Sequence, residues 1–257
     1  MRFFRPVCSL VAASAACLIS AAATAQSAEP AGDNHVAVGL GVLLDRAPFN
    51  GDTTQIYPIP LISLKQGAFY IETTEMGLAR AVGTGMVEVG GELFVAARNR
   101  SGRDRAKLTV DGGARLWVST PAGRFSGEVR HDITGTFGGT ELIARYSYRV
   151  EIGKLTITPA AQLNWMDRRS ANYLYGITAD QRAKMIANHR AVVLPVAPIT
   201  RHATNLGGDL TFAYVIGDHW SVLGVASGSY LGKPIRRSPA IGQEWQSSIV
   251  AGVAYRF

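Results

Sequence analysis

Alternation of apolar and polar residues in the last stretch of the chain, residues 245–257, is the feature that most restricts the fold. One face of an extended strand there is apolar and ends in two aromatic residues: Ile249, Ala251, Val253, Tyr255 and Phe257. The other face is small or polar: Ser248, Gly252, Ala254 and Arg256. Such a strand fits lipid on one side and water on the other, as in a transmembrane β-barrel. The alternative is the edge strand of a soluble β-sandwich.

Residues 1–25 have the composition of a secretory signal peptide. Arg2 and Arg5 precede an apolar centre, and the small residues 23–25 form a cleavage site that predicts a cut before Gln26. An uncleaved membrane helix is the alternative, but the segment consists mostly of alanine and serine. We therefore expect an exported protein whose single domain spans residues 26–257. Both cysteines lie in the leader, so we expect the mature chain to form no disulfide and no thiol site.

The rest of the chain contains no apolar run long enough to cross a membrane as a helix. If the chain enters a membrane, it must do so as a closed sheet, because unpaired backbone groups cannot face lipid. The formal charge is +7, but we do not expect nucleic-acid binding, since an exported chain rarely meets nucleic acid.

Alternating segments separated by turn residues predict an all-β, antiparallel barrel of twelve strands. The clearest pair is a hairpin around residues 153–154. The predicted strands span about 34–44, 56–64, 67–74, 77–82, 85–98, 107–120, 123–131, 139–152, 155–166, 205–216, 219–231 and 242–257. Tight turns alternate with longer connections, which predicts that both termini are periplasmic. Ten strands is the alternative, because residues 67–82 alternate least clearly and two prolines weaken the second strand.

Charged residues on the polar faces of these strands are predicted to point into the barrel. The lumen candidates are Glu141, Arg145, Arg149 and Glu151, together with Glu88, Asp111 and Arg115. They could line a narrow conduit, or they could pair with one another and fill it.

A long outer loop is predicted at residues 167–204, which show no clear alternation. Within it, Thr178 and Gln181 form a capping-box pattern that predicts a short helix through about Asn188. Pro195 and Pro198 end any regular structure after that helix.

Four stretches resemble the MipA/OmpV family of outer-membrane proteins. They are Tyr173-Leu174-Tyr175-Gly176-Ile177-Thr178, Tyr57-Pro58-Ile59-Pro60, Leu206-Gly207-Gly208-Asp209-Leu210, and Leu231 through Arg237-Ser238-Pro239. The resemblance implies a non-enzymatic outer-membrane barrel that acts as a scaffold for a murein-cleaving lytic transglycosylase and a penicillin-binding protein. It also leaves open an adhesin or a porin-like channel. The basic residues 233–237 depart from the small acidic or polar connection that is usual in the family.

The end of the chain and the predicted outer loops contain further candidate sites. Tyr255 and Phe257 resemble the C-terminal signal that barrel proteins present to the barrel-assembly machinery. Arginines in the outer loops could contact lipopolysaccharide phosphates, since the guanidinium group matches phosphate geometry. These are Arg100, Arg103, Arg105, Arg168, Arg169, Arg236 and Arg237. A hydrated basic rim is the alternative.

One pair of residues in the sequence supports a catalytic role. His219 and Ser221 fall on one face of a strand, so a lipid-modifying enzyme is a third hypothesis. The tight turn before His219 places the pair at the periplasmic end, away from outer-leaflet lipid, and we therefore expect no enzyme. The five histidines are scattered, so neither a metal site nor a cofactor is expected.

Overall fold

The structure, a computed structural model, describes residues 34–98, 108–187 and 193–257. These residues form a closed antiparallel β-barrel of twelve strands, which confirms the predicted fold class. The strand segments are β1 His35–Arg46, β2 Gln55–Gln66, β3 Phe69–Glu72, β4 Glu75–Thr84, β5 Val87–Arg98, β6 Thr109–Thr120, β7 Gly123–Asp132, β8 Thr140–Ser147, β9 Val150–Ile152, β10 Leu155–Met166, β11 Ala203–Ile216, β12 Trp220–Tyr230 and β13 Trp245–Arg256. β1 pairs with β13 and closes the ring. The predicted leader and the start of the predicted sixth strand at Lys107 lie outside the described residues.

β8 and β9 are two parts of one barrel strand, which was predicted to run without a break. Ser147 on β8 pairs with Ala160, and Val150 on β9 pairs with Ile157, so Pro159 of β10 stands opposite the break. Proline has no N–H to donate to the neighbouring strand. The ladder is therefore interrupted at Tyr148 and Arg149, although Tyr148 still donates its N–H to the Pro159 carbonyl at 3.0 Å.

Short turns connect the strands at the end of the barrel that carries both chain termini, which we call the periplasmic end. Gly67, Gly85, Gly153 and Gly217 each have positive φ in these turns, a conformation that glycine adopts without steric cost. At the other end, which we call the outer end, most connections are longer. The exception is the two-residue turn at Thr73 and Thr74 between the short β3 and β4.

Side chains alternate between the lipid-facing surface and the interior along each strand. Leu40, for example, is 76% exposed on the outside, whereas Leu43 is 1% exposed on the inside. Aromatic side chains meet at both ends of the apolar band. Tyr230 lies 5.1 Å from Trp245 near the outer end, and Trp220 lies 5.1 Å from Tyr255 near the periplasmic end. Such aromatic girdles are typical of outer-membrane barrels.

The two prolines of β2, Pro58 and Pro60, do not break that strand, because their backbone nitrogens face away from the neighbouring strand β1. Ile62 bonds Thr73 on the β3 side, and alternation directs the backbone of Pro60 and Pro58 to the same side. β3 pairs only with residues 63–66 of β2. Among the described residues, the part of this edge between Ile62 and the outer end of β2 therefore has no strand partner. The two prolines therefore leave fewer unpaired N–H groups along the open edge.

Among the described residues, the outer end carries three short helices: α1 Arg168–Tyr175, α2 Ala179–Ala187 and α3 Lys233–Arg236. α2 has the predicted capping box, in which Gln181 Oε1 accepts from Thr178 N and Thr178 Oγ1 accepts from Gln181 N. The predicted outer loop at residues 167–204 contains a further helix, α1, which the sequence pattern did not predict. Asp167 caps α1 by accepting a hydrogen bond from Ser170 N at 2.7 Å. Within the described ranges, no helix is long and apolar enough to span a membrane.

Candidate functional site inside the barrel

A cluster of charged side chains fills the interior between β4 and β8. Arg115 on β6 donates to Glu128 Oε2 at 2.6 Å, to Glu92, and to Glu75 Oε2 at 3.4 Å. Arg130 on β7 pairs with Glu128 and reaches Glu75 at 3.3 Å. Glu75 lies on β4, three strands from Arg130. Their contact therefore crosses the barrel interior between two strands that are not neighbours.

Four further contacts belong to the charged cluster, two of them ion pairs of Arg98 and two of them cation–π contacts with Phe94. Arg98 on β5 pairs with Asp111 at 2.5 Å and with Glu141 on β8. The guanidinium groups of Arg115 and Arg130 each lie 5.0 Å from the centre of the Phe94 ring. A buried ring between two cations adds cation–π attraction to the ion pairs.

The opposite side of the interior is apolar. Leu43, Ile59, Leu61, Val225 and Val250 come from β1, β2, β12 and β13 and are all at least nine-tenths buried against one another. Apolar packing is unusual for the inside of a membrane barrel, which is normally polar. Side chains therefore occupy this half of the interior as well.

The third region is a small polar cavity of about 50 Å³ between β10 and β13. Its lining is mostly uncharged and polar: Gln162, Asn164, Met166, Tyr175, Asn205, Gly207, Asp209, Ser227, Gly228, Ser229, Gln246, Ser247 and Ser248. Asp209 binds Arg145 on β8, with Nη2 2.8 Å from Oδ2 and a second bond from Nη1 to Oδ1. We call this space the polar cavity.

The polar cavity is roofed by an outer cap, made of α1, α3 and the residues packed against them. Ala171, Leu231 and Ile235 in the cap are fully buried. Tyr175 at the end of α1 donates its hydroxyl to Gln246 Oε1 at 3.2 Å, and its carbonyl accepts from Ser238 Oγ at 2.9 Å. The cap is therefore a packed part of the fold, with its own hydrophobic core.

Four of the seven lumen candidates, Glu141, Arg145, Arg149 and Glu151, lie in two different environments. Glu141 and Arg145 point inward and are engaged in the ion pairs described above. Arg149 lies in the break between β8 and β9, where Nε is 2.7 Å from Glu151 Oε1. The Glu151 side chain is 62% exposed at the periplasmic end. This second pair does not take part in filling the interior.

The candidate lipopolysaccharide contacts in the described residues lie at the outer end. Arg168 and Arg169 open α1 and are exposed, and Arg169 donates to the Gly138 carbonyl at 3.2 Å. Arg236 lies over the Tyr230 ring at 4.6 Å and binds Glu244 at 2.7 Å. Bonds from Arg236 and Tyr230 lower the pKa of the Glu244 carboxyl. Arg237 is exposed, while Arg100, Arg103 and Arg105 lie outside the described residues.

The two residues of the catalytic hypothesis, His219 and Ser221, lie in different surroundings. His219 is exposed in the turn before β12, where Nδ1 is 3.0 Å from the Arg256 carbonyl oxygen and the ring stacks on Tyr255 at 5.3 Å. Ser221 points inward from β12. In the described part of the chain, histidine and acidic side chains form no group of three or more that could hold a metal ion.

Comparison with known proteins places this architecture in a family. The model of the MltA-interacting protein MipA family matches residues 38–257, which cover nearly the whole barrel. The chain belongs to the MipA family. The resemblance seen in the sequence motifs is thereby confirmed, and this MipA-family chain is an outer-membrane protein.

Its relatives are similar in length but distant in sequence. The outer membrane protein YiaT of Escherichia coli O157:H7 is 24% identical over 234 residues, covering 87% of this chain and 92% of the relative. The MltA-interacting protein of Escherichia coli K12 is 22% identical, covering 86% and 89%. Among solved structures, an outer membrane channel from Pseudomonas putida F1 has a TM-score of 0.42 and 8% identity, covering 89% of this chain and 99% of that one.

Sequence reasoning did not single out the residues that form the cap and the polar cavity. Asn164 on β10 and Asn205 on β11 are polar residues at inward positions of strands with an alternating pattern. No motif distinguishes them from other inward positions. Tyr175 lies within one of the family stretches, but its contact with Gln246 joins residues 71 positions apart. Only the closed ring brings these groups together.

Proposed function

We propose that this MipA-family barrel is a non-enzymatic scaffold that anchors murein-acting enzymes to the outer membrane. The observation that carries the proposal is the filled interior, because ion pairs from Arg98, Arg115 and Arg130 occupy one side and apolar packing occupies the other. A barrel filled in this way serves as a rigid anchor better than as a wide passage. The name of the MltA-interacting protein, the 22% identical relative, supports a lytic transglycosylase as the partner.

The partner surface in this proposal is the periplasmic end. The Pro121-Ala122 turn is held against the wall because the Tyr146 hydroxyl donates to the Ala122 carbonyl. Asn34, the first described residue, accepts a hydrogen bond from Gly67 N at 2.8 Å. Residues 26–33 precede Asn34 and lie outside the described ranges, and we include them in the proposed docking segment.

Site-specific photo-crosslinking in intact envelopes tests the scaffold role. A photoreactive residue at Ala122 should give an adduct with a lytic transglycosylase or a penicillin-binding protein. The same probe at Val253, which faces lipid, is the matched control and should give none. Adducts of equal yield at both positions, or no adduct at Ala122, would contradict the proposal.

Passage of a small solute is the second candidate, and the polar cavity is the observation that favours it. Planar-bilayer recordings separate the two functions. A scaffold with a filled interior should show no steady ohmic step, whereas a reproducible step would favour the channel.

A further inference from the structure

The polar cavity is bounded at both ends by pairs of residues that bind each other, one pair at its roof under the outer cap and one at its floor. Tyr175 and Gln246 form the roof under the outer cap. The ion pair of Arg145 and Asp209 lies at the floor, and Arg145 Nη1 also reaches Gln162 Oε1 at 3.4 Å. The space between is therefore a defined site within the wall residues of β10–β13.

Several polar groups of the lining are already bonded. Asn205 Oδ1 accepts from Gly232 N at 2.8 Å, and Ser227 and Ser248 share a hydrogen bond of 3.0 Å. Asn164 differs from them. Its residue is only 8% exposed, and its Oδ1 has no hydrogen-bond partner within the described part of the chain. A buried acceptor of this kind requires a donor, which a bound molecule can supply.

The residues that line the cavity restrict the charge, the hydrogen-bonding groups and the size of a molecule that could bind there. Among the described residues that line the cavity, Asp209 alone carries a formal charge, and Arg145 neutralises it with two bonds. The remaining groups are amides and hydroxyls, which both donate and accept and so match the hydroxyl groups of a polyol. A volume of about 50 Å³ has room for roughly four water molecules. That size suits a three-carbon polyol and excludes a hexose.

We propose that the polar cavity binds a small neutral polyol of about three carbons, with Asn164 Oδ1 accepting a hydrogen bond from one of its hydroxyls. The proposal goes beyond the scaffold role and does not depend on it. A partner bound at the periplasmic end and a polyol bound beneath the outer cap would occupy opposite ends of the barrel.

Saturation-transfer NMR on the full chain in detergent micelles, with glycerol as the probe, tests this site. The wild-type protein should transfer saturation to glycerol, and glucose at the same concentration should receive none. Asn164→Leu keeps a similar side-chain volume but removes the acceptor, so the transfer should fall at least about fivefold. Thr158→Val is the matched control, because Thr158 also points inward from β10 but does not line the cavity.

Ser229→Leu provides a second variant, which fills the cavity without altering Asn164. It should abolish transfer to glycerol while the barrel keeps its heat-dependent gel shift. Equal transfer in the wild type, Asn164→Leu and Ser229→Leu would overturn the proposal. Absence of transfer in the wild type would overturn it too, and the cavity would then hold water only.

Discussion

Arg145 on β8 and Asp209 on β11 bind each other across the intervening strand β10, with Nη2 2.8 Å from Oδ2. The two side chains are 13% and 2% exposed, so removing one partner leaves a buried charge without compensation. Asp209→Asn should lower the free energy of unfolding by about 2–4 kcal/mol. Urea unfolding followed by tryptophan fluorescence measures the change. Glu151→Gln, which breaks the exposed pair with Arg149, should cost less than about 0.5 kcal/mol, and an equal effect of both variants would contradict the prediction.

Gly90 is required by the packing of the interior. A Cβ atom built on Gly90 would overlap the indole ring of Trp117, which crosses the inner face of β5. Gly90→Ala should therefore destabilise the barrel by about 1–3 kcal/mol through overpacking. Gly127→Ala is the matched control, because a Cβ there meets no atom within 4 Å. The temperature of the heat-dependent gel shift should fall for Gly90→Ala only.

The open edge of β2 predicts a cost for restoring a donor there. Pro60→Ala adds an N–H that points to the unpaired side of the strand, where lipid offers no acceptor. We expect a loss of about 1–3 kcal/mol in unfolding free energy. Ile62→Ala is the comparison, since it removes an outward apolar side chain without adding a donor. A Pro60→Ala barrel as stable as the wild type would show that the edge is covered.

The basic residues of the outer end are proposed to contact lipopolysaccharide phosphates. Replacing Arg168, Arg169, Arg236 and Arg237 together with glutamine should reduce the lipopolysaccharide that co-purifies with the barrel by several fold, because each guanidinium group offers paired donors to phosphate. Lys154→Gln at the periplasmic end should leave the amount unchanged. If the fourfold variant retains the full amount, the arginines form only a hydrated rim.

The C-terminal residue is proposed to act in assembly. Phe257 donates its N–H to the Val36 carbonyl at 3.0 Å and lies against Tyr255, at the seam where β13 meets β1. Phe257→Ala should lower the yield of heat-modifiable barrel in the outer membrane by several fold. Phe125→Ala, which removes an exposed aromatic ring from β7, away from the seam, should not. Normal assembly of the Phe257→Ala protein would show that the assembly signal lies elsewhere.

Most of the wall could be predicted because lipid imposes a rule on every second residue. Residues 155–166 were predicted as a strand with the same bounds that β10 has. Its hairpin partner was predicted as one strand at residues 139–152. The structure divides it into β8 and β9 opposite Pro159, which removes a donor from the ladder. α1 was missed because it begins directly after a strand and has few apolar residues, whereas the reciprocal bonds of Thr178 and Gln181 follow from a pattern that can be read in the sequence.

By itself the sequence predicted the barrel, twelve strands with ten as the alternative, the alternation toward lipid and the family resemblance, because hydrocarbon outside and water at the ends constrain each position locally. Only the tertiary structure shows which inward side chains contact one another. Arg145 and Asp209 are 64 residues apart, and their contact depends on how each strand is displaced along its neighbours when the ring closes. The same closure creates the polar cavity around Asn164, which no local pattern encodes.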